Sequence, residues 1–376
     1  MSSRARNQLA LDLDALVLDP STHVIVCCGS GGVGKTTIAA ALGLRAAEKG
    51  RRFVVLTSDP ARRLAQSMGL AELDNVPRPV PGIAPGGGSL DAMMLDMKRT
   101  FDDVVISHST PHKAEQILAN PFYQALSSSF AGTQEYMAME RLGQLIDENR
   151  WNLILVDTPP SRSALDFLDA PQRLGRFLDG RMVRLLAAPA KAGGRIGARV
   201  VGAGMTLFSR VITRILGTQL LDDISSLVAA LETMFGGFRA RAQATYELLR
   251  APGMAFLVVA SPEPDALREA SYFIDRLRAE DMPLAGLVLN RVHEPLAELS
   301  AGRADAAAEV LAESNQPDHV AIAALQVHAE LVRRYDAERR LADRFRAAHR
   351  DVAIATIGAR ATDVHDLDGL RDLGGP

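Results

Sequence analysis

The sequence predicts an α/β fold in which a doubly wound, mostly parallel sheet is joined by a helical subdomain. Short apolar runs alternate with segments of helical periodicity, which is the pattern of parallel strands joined by right-handed crossovers. One run leads directly into a glycine-rich loop followed by a helical segment, "VIVCCGSGGVGKTT" (Val24–Thr37). A chain of 376 residues, 47% of them hydrophobic, is large enough to bury such a core.

The individual elements follow from the spacing of apolar residues. Predicted strands lie at "HVIVCC", "RFVVLTSDP", "LDAMMLDM", "NLILVDTPP", "MAFLVVASPEP", "LAGLVLNRV" and "DVAIATIG". Helical spacing follows the glycine-rich loop as far as Gly50, and it returns in "LQVHAELVRRYDAERRLADRF". The Pro- and Gly-rich segment Val76–Ser89 is predicted to be a loop.

Charge and hydropathy exclude several classes of protein. The net charge of −3 argues against bulk attraction to nucleic acid or to a membrane. Asp12, Asp14 and Asp19 interrupt the apolar residues near the N-terminus, so the uninterrupted hydrophobic segment of a signal peptide is missing. No stretch of about 18 uncharged apolar residues occurs. We expect a cytoplasmic protein, with a peripheral association at the membrane left open.

The thiol and imidazole side chains do not form a metal-site pattern. Cys27 and Cys28 are adjacent on a predicted strand, where neighbouring side chains point to opposite faces, so we expect no disulfide between them. The absence of a CxxC pair excludes a cysteine-ligated zinc site. His108 and His112 flank Pro111 without an acidic partner, and we expect ordinary loop histidines.

The glycine-rich loop has the composition of a phosphate-binding loop. Gly29, Gly34, Lys35 and Thr36 fit the pattern G-x-x-x-x-G-K-[ST], and we call Gly29–Thr36 the phosphate loop. Glycines let backbone N–H groups wrap a phosphate chain, and the following helix N-terminus adds donors and a favourable dipole. Lysine reaches the β- and γ-phosphates, and the Ser/Thr hydroxyl binds Mg²⁺.

Two carboxylates are candidates for the magnesium site. Asp157 ends an apolar strand, and Asp59 follows the second predicted strand in the same way. The carboxyl ends of parallel strands meet at one edge of a sheet, so both acids are expected beside the phosphate loop. The alternative for each is a helix cap or a carboxylate of a surface turn.

Four segments together resemble the ArsA/Get3 family of arsenite-pump and tail-anchored-protein targeting ATPases. They are "GSGGVGKTT", "SDPARRL", "DTPPSRSALDFLDAP" and "LNRV", in that order. The ending "DVHDLDGLRDLG" is similar to the family's C-terminal nucleotide loop and last helix. The resemblance covers most of the chain. It implies a P-loop NTPase of the deviant Walker A class that uses ATP and Mg²⁺.

The resemblance also implies roles for the matching residues. The phosphate cradle would consist of Gly31, Gly32, Val33, Gly34, Lys35, Thr36 and Thr37. Lys35 and Asp59 would be catalytic, Asp59 by positioning the attacking water. Mg²⁺ would be held by Thr36, Asp59 and Asp157, partly through water. Asn290 would read adenine, because an amide donates and accepts side by side; the alternative is a cap at a strand end.

The order of strand and helix patterns divides the chain into a nucleotide-binding domain and helical segments. The domain is predicted from residues 1–97, 151–170 and 251–376, with helical parts at 98–150 and 171–250. Glu135 lies in a stretch similar to a family helix that touches the partner subunit.

The sequence departs from the family pattern at two places. Ser30 stands where family members carry a lysine that reaches the nucleotide of the other subunit, and a hydroxyl is too short for that. Such a cation stabilises charge on the transferring phosphoryl group. Arg162, Ser163 and Ala164 replace the usual "GHT" of the second switch, and Arg162 is equally consistent with a local charge donor and with a solvated side chain.

Three readings follow from Ser30. The chain pairs with a lysine-bearing homologous ATPase subunit, an arginine of its own substitutes, or it binds ATP with little hydrolysis. We favour the heterodimer over a homodimer, and keep a non-catalytic nucleotide-binding regulatory subunit as the alternative. A DNA-partitioning ATPase is disfavoured by the helical insertion, and we expect no nucleic-acid partner.

The sequence says less about what such an ATPase would carry or bind. Two adjacent cysteines cannot supply the three thiolates of an arsenite site, so arsenite transport is disfavoured. Residues 171–217 interleave apolar residues with nine Lys or Arg and one acid. This segment is a candidate for an apolar or membrane client, as in a membrane-protein targeting factor; the alternative is a helical lid packed on its own subunit.

Overall fold

The computed structural model describes residues 9–58, 63–83, 87–107, 109–121, 123–124, 133–158, 244 and 246–373, with residues 133–136 described by their backbone alone. His108, the departures at residues 162–164 and the predicted client segment 171–217 lie outside these ranges.

The strands form a single sheet. They are β1 (Val24–Gly29), β2 (Arg52–Thr57), β3 (Arg78–Pro79), β4 (Ser89–Met94), β5 (Leu153–Asp157), β6 (Met254–Ala260), β7 (Leu284–Val292) and β8 (Ile354–Gly358). Their order across the sheet is β3-β4-β2-β5-β1-β6-β7-β8.

The helices occupy the segments between the strands. They are α1 (Leu13–Leu18), α2 (Lys35–Glu48), α3 (Arg63–Ser67), α4 (Met97–Ser107), α5 (Pro111–Ala119), α6 (Thr133–Glu148), α7 (Pro264–Ala279), α8 (Ala301–Ala312), α9 (His319–Ala348) and α10 (Leu367–Leu373).

The centre of the sheet is parallel and buried. β1 pairs in parallel with both β5 and β6, and β2 pairs in parallel with β5. Every residue of β1, β5 and β6 is buried, as expected for parallel strands covered on both faces. The predicted fold class, a mostly parallel α/β sheet with crossovers, is confirmed.

The segment Val76–Ser89 corrects one prediction, because it is not wholly a loop. Arg78 and Pro79 form β3, which pairs antiparallel with β4 at the edge of the sheet. An edge position explains why proline is tolerated, since its missing N–H does not interrupt a central ladder. Helices α1, α3, α7 and α8 are also absent from the sequence prediction.

The chain forms two compact units. The first draws on Met1–Met93, Arg150–Ala164 and Arg250–Pro376, and the second on Met94–Asn149 and Leu165–Leu249. The sheet and the phosphate loop belong to the first unit, apart from Met94 at the end of β4.

The second unit contains α4, α5 and α6. The rings of Phe101 and Tyr123 lie 5.4 Å apart between centroids. Tyr123 is buried and its hydroxyl donates to Asp102 Oδ1 at 2.7 Å. Burial is the main cause that raises the pKa of Tyr123, so this hydroxyl stays protonated as a donor.

Arg51 joins several segments at the amino edge of the sheet. Its guanidinium donates to the backbone oxygens of Val17 at 3.2 Å, Asp19 at 2.5 Å, Thr22 at 2.9 Å and Asn152 at 2.6 Å. The side chain is buried, and these bonds hold the segment before β1 against the start of β5.

Within the described ranges, no helix is long and apolar enough to cross a membrane.

Candidate functional site

The phosphate loop connects the end of β1 to the start of α2 through two glycines that no other residue could replace without strain. Gly29 has φ +149°, and a Cβ there would lie 2.1 Å from the Val259 carbonyl oxygen. Gly34 has φ +92°, and a Cβ there would lie 2.4 Å from Asn290 Nδ2. The loop is therefore packed closely against β6 and β7, and its turn needs backbone that L side chains rarely adopt.

Lys35 is the first residue of α2, and its ammonium lies within the phosphate loop. Nζ donates to the carbonyl oxygens of Gly29 at 3.0 Å and Ser30 at 2.8 Å, and the side chain is only 6% exposed. A buried cation needs acceptors, and here the loop backbone provides them. The positive charge of Lys35 therefore lies beside the first residues of the phosphate loop.

Asp157 lies at the carboxyl end of β5, directly beside the first turn of α2. Its Oδ2 accepts hydrogen bonds from Thr36 Oγ1 at 2.6 Å and from Thr57 Oγ1 at 2.9 Å. The strand register explains this arrangement, because Asp157 is level with Cys27 of β1 and with Thr57 of β2. The parallel sheet therefore brings one carboxylate and two hydroxyls to a single point.

Two consecutive residues of β7 contact two consecutive carbonyls of the phosphate loop. Asn290 Nδ2 donates to the Val33 oxygen at 2.7 Å, and Arg291 Nη1 donates to the Gly32 oxygen at 2.8 Å. Asn290 is buried, whereas Arg291 is exposed. The Asn290 amide therefore uses its Nδ2 group as a donor to the phosphate loop, and its Oδ1 atom is a hydrogen-bond acceptor.

Ser30 is held within its own chain. Its hydroxyl donates to Glu269 Oε2 of α7 at 2.5 Å, a contact between residues 239 positions apart. Both side chains are half-buried. The position at which family members carry a lysine is therefore bonded, in this chain, to a helix of the same unit.

A cavity of about 380 Å³ adjoins the phosphate loop in the first unit. Gly34, Thr37 and Asn290 line one side, and the last residue of β8 together with residues 359–360 and 362–364 lines another. Its volume lies in the range of small-molecule sites, which is roughly 300–1,000 Å³. Glu338 of α9 borders it, and its carboxylate accepts from the His293 backbone N–H at 2.9 Å and from Arg334 Nε at 3.2 Å.

The two cysteines lie on β1, below the phosphate loop. Both are free and buried, so the predicted absence of a disulfide is confirmed. Burial is the largest cause that raises the pKa of both thiols, that of Cys28 to about 12, and the Asp157 charge adds to it for Cys27. Thiolates, which soft metals require, are therefore disfavoured here. In the described part of the chain, no group of three or more His, Cys, Asp or Glu side chains is arranged to hold a metal ion.

The structure brings most of the predicted site residues together. Gly31–Thr37, Asp157 and Asn290 surround the carboxyl end of β1. Asp59 lies outside the described residues, and only the backbone of Glu135, in α6, is described.

Three residues of the site were missed. Glu269 and Arg291 contact the phosphate loop, and Thr57 contacts the Asp157 carboxylate. Thr57 lies in a predicted strand, two residues before the candidate acid Asp59, so its position in the sequence suggests a role. The other two carry no local signal.

Comparisons with known proteins identify relatives of this chain. A model of the anion-transporting ATPase family matches residues 22–309. A Halobacterium salinarum protein assigned as an arsenical pump-driving ATPase is 30% identical over 215 residues, 50% of this chain but only 32% of that relative. A Babesia bovis ATPase ASNA1 homolog is 24% identical over 286 residues, 75% of this chain and 69% of the relative. The ATPase GET3 of Malassezia globosa is 28% identical over 157 residues, 41% of this chain and 44% of the relative.

Proposed function

Because the chain belongs to the anion-transporting ATPase family, we propose that it binds ATP with Mg²⁺, hydrolyses it, and works as a dimeric conformational switch. The observation that carries the proposal is the pairing of Lys35, enclosed in the phosphate loop, with the Thr36–Asp157 contact of 2.6 Å. These groups provide a cation for the phosphates and oxygen ligands for a metal at one sheet edge.

The donor set fits magnesium. Mg²⁺ prefers hard oxygen ligands, keeps several waters, and is bound by one or two carboxylates together with substrate phosphates. The Thr36 hydroxyl and the Asp157 carboxylate are adjacent oxygen donors of this type. When bound, the metal neutralises charge on the phosphate oxygens. Asp59 is proposed, from the family resemblance, to complete the metal's water shell and position the attacking water.

The residues of this chain have distinct tasks in the proposed reaction. Lys35 exchanges its loop carbonyls for the β- and γ-phosphate oxygens. The N–H groups of Gly31–Thr37 orient the phosphate chain, as the first turn of a helix does for anions. Asn290 is proposed to accept from adenine with its amide oxygen at the wall of the adjoining cavity.

A homologous, lysine-bearing subunit is the proposed partner. Ser30 carries no charge, and its hydroxyl is engaged by Glu269. In such a pair the partner's lysine would complete the ATP site of this chain, whereas the partner's own site would lack the cation that Ser30 replaces. A homodimer, and a nucleotide-binding regulatory subunit that does not hydrolyse ATP, are the alternatives. Arsenite as cargo is disfavoured by the two buried thiols, whereas an apolar or membrane client at residues 171–217 stays a proposal.

Binding of MgATP to the Lys35→Ala variant tests the phosphate assignment. We expect at least a hundredfold rise in Kd, because the enclosed cation is lost from the cradle. Lys49→Ala is the matched control, since Lys49 is an exposed lysine at the other end of α2. Calorimetric titration of both variants measures the effect. Equal affinity of the two variants for ATP would refute the proposed site.

ATP turnover of this chain alone, and mixed with a lysine-bearing relative, tests the partner. The relative should carry an inactivated phosphate-binding lysine, so that only the site on this chain can turn over. We expect the mixture to hydrolyse ATP at least tenfold faster than either protein alone. A rate for the chain alone that the relative does not increase would contradict the heterodimer, and no turnover in either case would favour the regulatory subunit.

A further inference from the structure

The carboxyl end of β7 has an unusual backbone. Side chains of neighbouring strand residues point to opposite faces, yet Asn290 and Arg291 both reach the phosphate loop. Arg291 has φ +60°, a left-handed conformation that arginine rarely adopts. The deviation from regular strand geometry therefore coincides with the contact.

A β-bulge explains how both side chains reach the loop. Leu289 is level with Thr356 of β8, whereas Val292 is level with Gly358. Three steps along β7 thus correspond to two along β8, so β7 contains one extra residue at positions 290–291. Bulges re-aim side chains next to functional sites, and strained backbone is kept where surrounding contacts require it.

The two contacts fix the orientation of two peptide planes. In a trans peptide, the C=O of one residue and the N–H of the next point in opposite directions. Arg291 binds the Gly32 oxygen and Asn290 binds the Val33 oxygen, each on the side of β7. The N–H groups of Val33 and Gly34 are consequently turned away from β7, into the phosphate cradle.

We infer that Arg291 is a positioning residue of the phosphate loop: by holding the Gly32 carbonyl, it aims the Val33 N–H at the β-phosphate of the nucleotide before binding. This inference rests on the proposed function and deepens it. A preformed cradle gives up less conformational freedom on binding, so the residue contributes to phosphate affinity without touching the reacting atoms.

The decisive variant is Arg291→Gly, because glycine keeps the left-handed backbone without strain and removes the side chain that carries the guanidinium. Arg291→Lys retains a cationic donor. Asp281→Gly is the matched control, since Asp281 has φ +53° and lies in the turn after α7, at the amino edge of the sheet. The three variants separate the loss of the side chain from the relaxation of the backbone.

The readouts are the dissociation constants of MgADP and of inorganic pyrophosphate, and the unfolding temperature without ligand. Arg291→Gly is expected to raise both dissociation constants by about tenfold, and by similar factors, because both ligands use the cradle. Arg291→Lys should stay within about threefold of the wild type. Asp281→Gly should bind like the wild type, and ligand-free unfolding temperatures should agree among all of them.

Several outcomes would overturn the inference. The first is that Arg291→Gly binds both ligands as the wild type does, and the second is that Arg291→Gly and Asp281→Gly lose affinity equally. The third is that Arg291→Gly loses affinity for ADP but not for pyrophosphate. The fourth is that both Arg291 variants bind more weakly and also unfold at a lower temperature. Lys35→Ala separates the two levels. If Lys35→Ala binds ADP normally, the proposed site itself fails; if it loses ADP while Arg291→Gly does not, only the role of Arg291 fails.

Discussion

Two buried cations lie at opposite edges of the same sheet, Arg51 at the amino edge and Lys35 at the carboxyl edge. They are 8% and 6% exposed, respectively, and both donate to backbone carbonyls. The acceptors of Arg51 come from residues 17–22 and from Asn152, which belong to separate parts of the chain. The two carbonyls named above for Lys35 belong to the phosphate loop that precedes it.

Similar chemistry serves stability at one edge and, in the proposed function, phosphate binding at the other. Arg51 adds four hydrogen bonds between segments that the sheet also brings together, so its bonds reinforce the fold. Burial lowers the pKa of Arg51, although the nearby Asp19 charge opposes this. Lys35 donates to loop carbonyls that phosphate oxygens would replace in the proposed function. In that proposal, the contacts at the amino edge persist, whereas those at the carboxyl edge change partners.

Removing the amino-edge cation gives the largest expected effect on stability. Arg51→Ala leaves several backbone oxygens without their donor and should lower the free energy of unfolding by about 3 kcal/mol or more. Arg52→Ala, at the exposed neighbouring position, should change it by less than about 0.5 kcal/mol. Urea unfolding measures both. The comparison fails if Arg51→Ala folds as stably as Arg52→Ala, or if the folded Arg51 variant loses ATP affinity.

At the carboxyl edge, the hydroxyls of Thr36 and Thr57 donate to the same oxygen, Asp157 Oδ2, and one variant at each position distinguishes their roles. Thr36→Val should raise the Kd for MgATP by at least about tenfold and leave magnesium-free ATP binding unchanged, because it removes a metal ligand. Thr57→Val removes the buried donor and should cost about 1–2 kcal/mol of stability while magnesium dependence remains.

Titration with and without Mg²⁺, and urea unfolding of each variant, separate these roles. The same magnesium response in both variants would show that Thr36 has no special place at the metal.

The smallest expected effect is a pH dependence at the amino edge. His349 is 6% exposed, and its Nε2 lies 3.0 Å from Ser271 Oγ. Burial lowers the pKa of His349, Arg278 lowers it further, and Asp275 and Asp351 oppose the shift. The folded pKa is below the unfolded value of about 6.5, so the contribution is complete above that pH and is lost as the pH falls through the folded pKa.

The His349→Gln variant should therefore lose less stability than the wild type when the pH falls from about 7.5 to about 5. We expect the difference to be under about 1 kcal/mol. Urea unfolding at both pH values measures it, with ATP affinity recorded in parallel. An identical acid response of both proteins would contradict the assignment to His349.

Much of the fold was predictable because parallel strands leave a strong record in sequence. The runs that became β1, β5 and β6 are apolar on both faces, and the acid after "LILV" marks where β5 reaches the sheet edge. Lys35 and Thr36 were predictable because a phosphate chain demands those residue types at fixed spacing. β3 was missed because two residues flanked by prolines give no periodicity.

The remaining site residues depend on tertiary structure that no local pattern encodes. Arg51 reads as an ordinary polar residue before a strand, and only the register of β5 brings Asn152 beside it. Glu269 meets Ser30 across 239 positions. Arg291 reaches the phosphate loop only because β7 contains a bulge, and periodicity cannot reveal an added residue.

The strand order has a consequence for biosynthesis. β1 emerges from the ribosome before its neighbours β5 and β6, and the side chains that hold its loop belong to residues 269, 290 and 291. A nascent polypeptide that has not reached these positions possesses the complete glycine motif without the contacts that shape it. The proposed nucleotide site therefore becomes complete only after residue 291 has been made, well after the residues of its glycine motif.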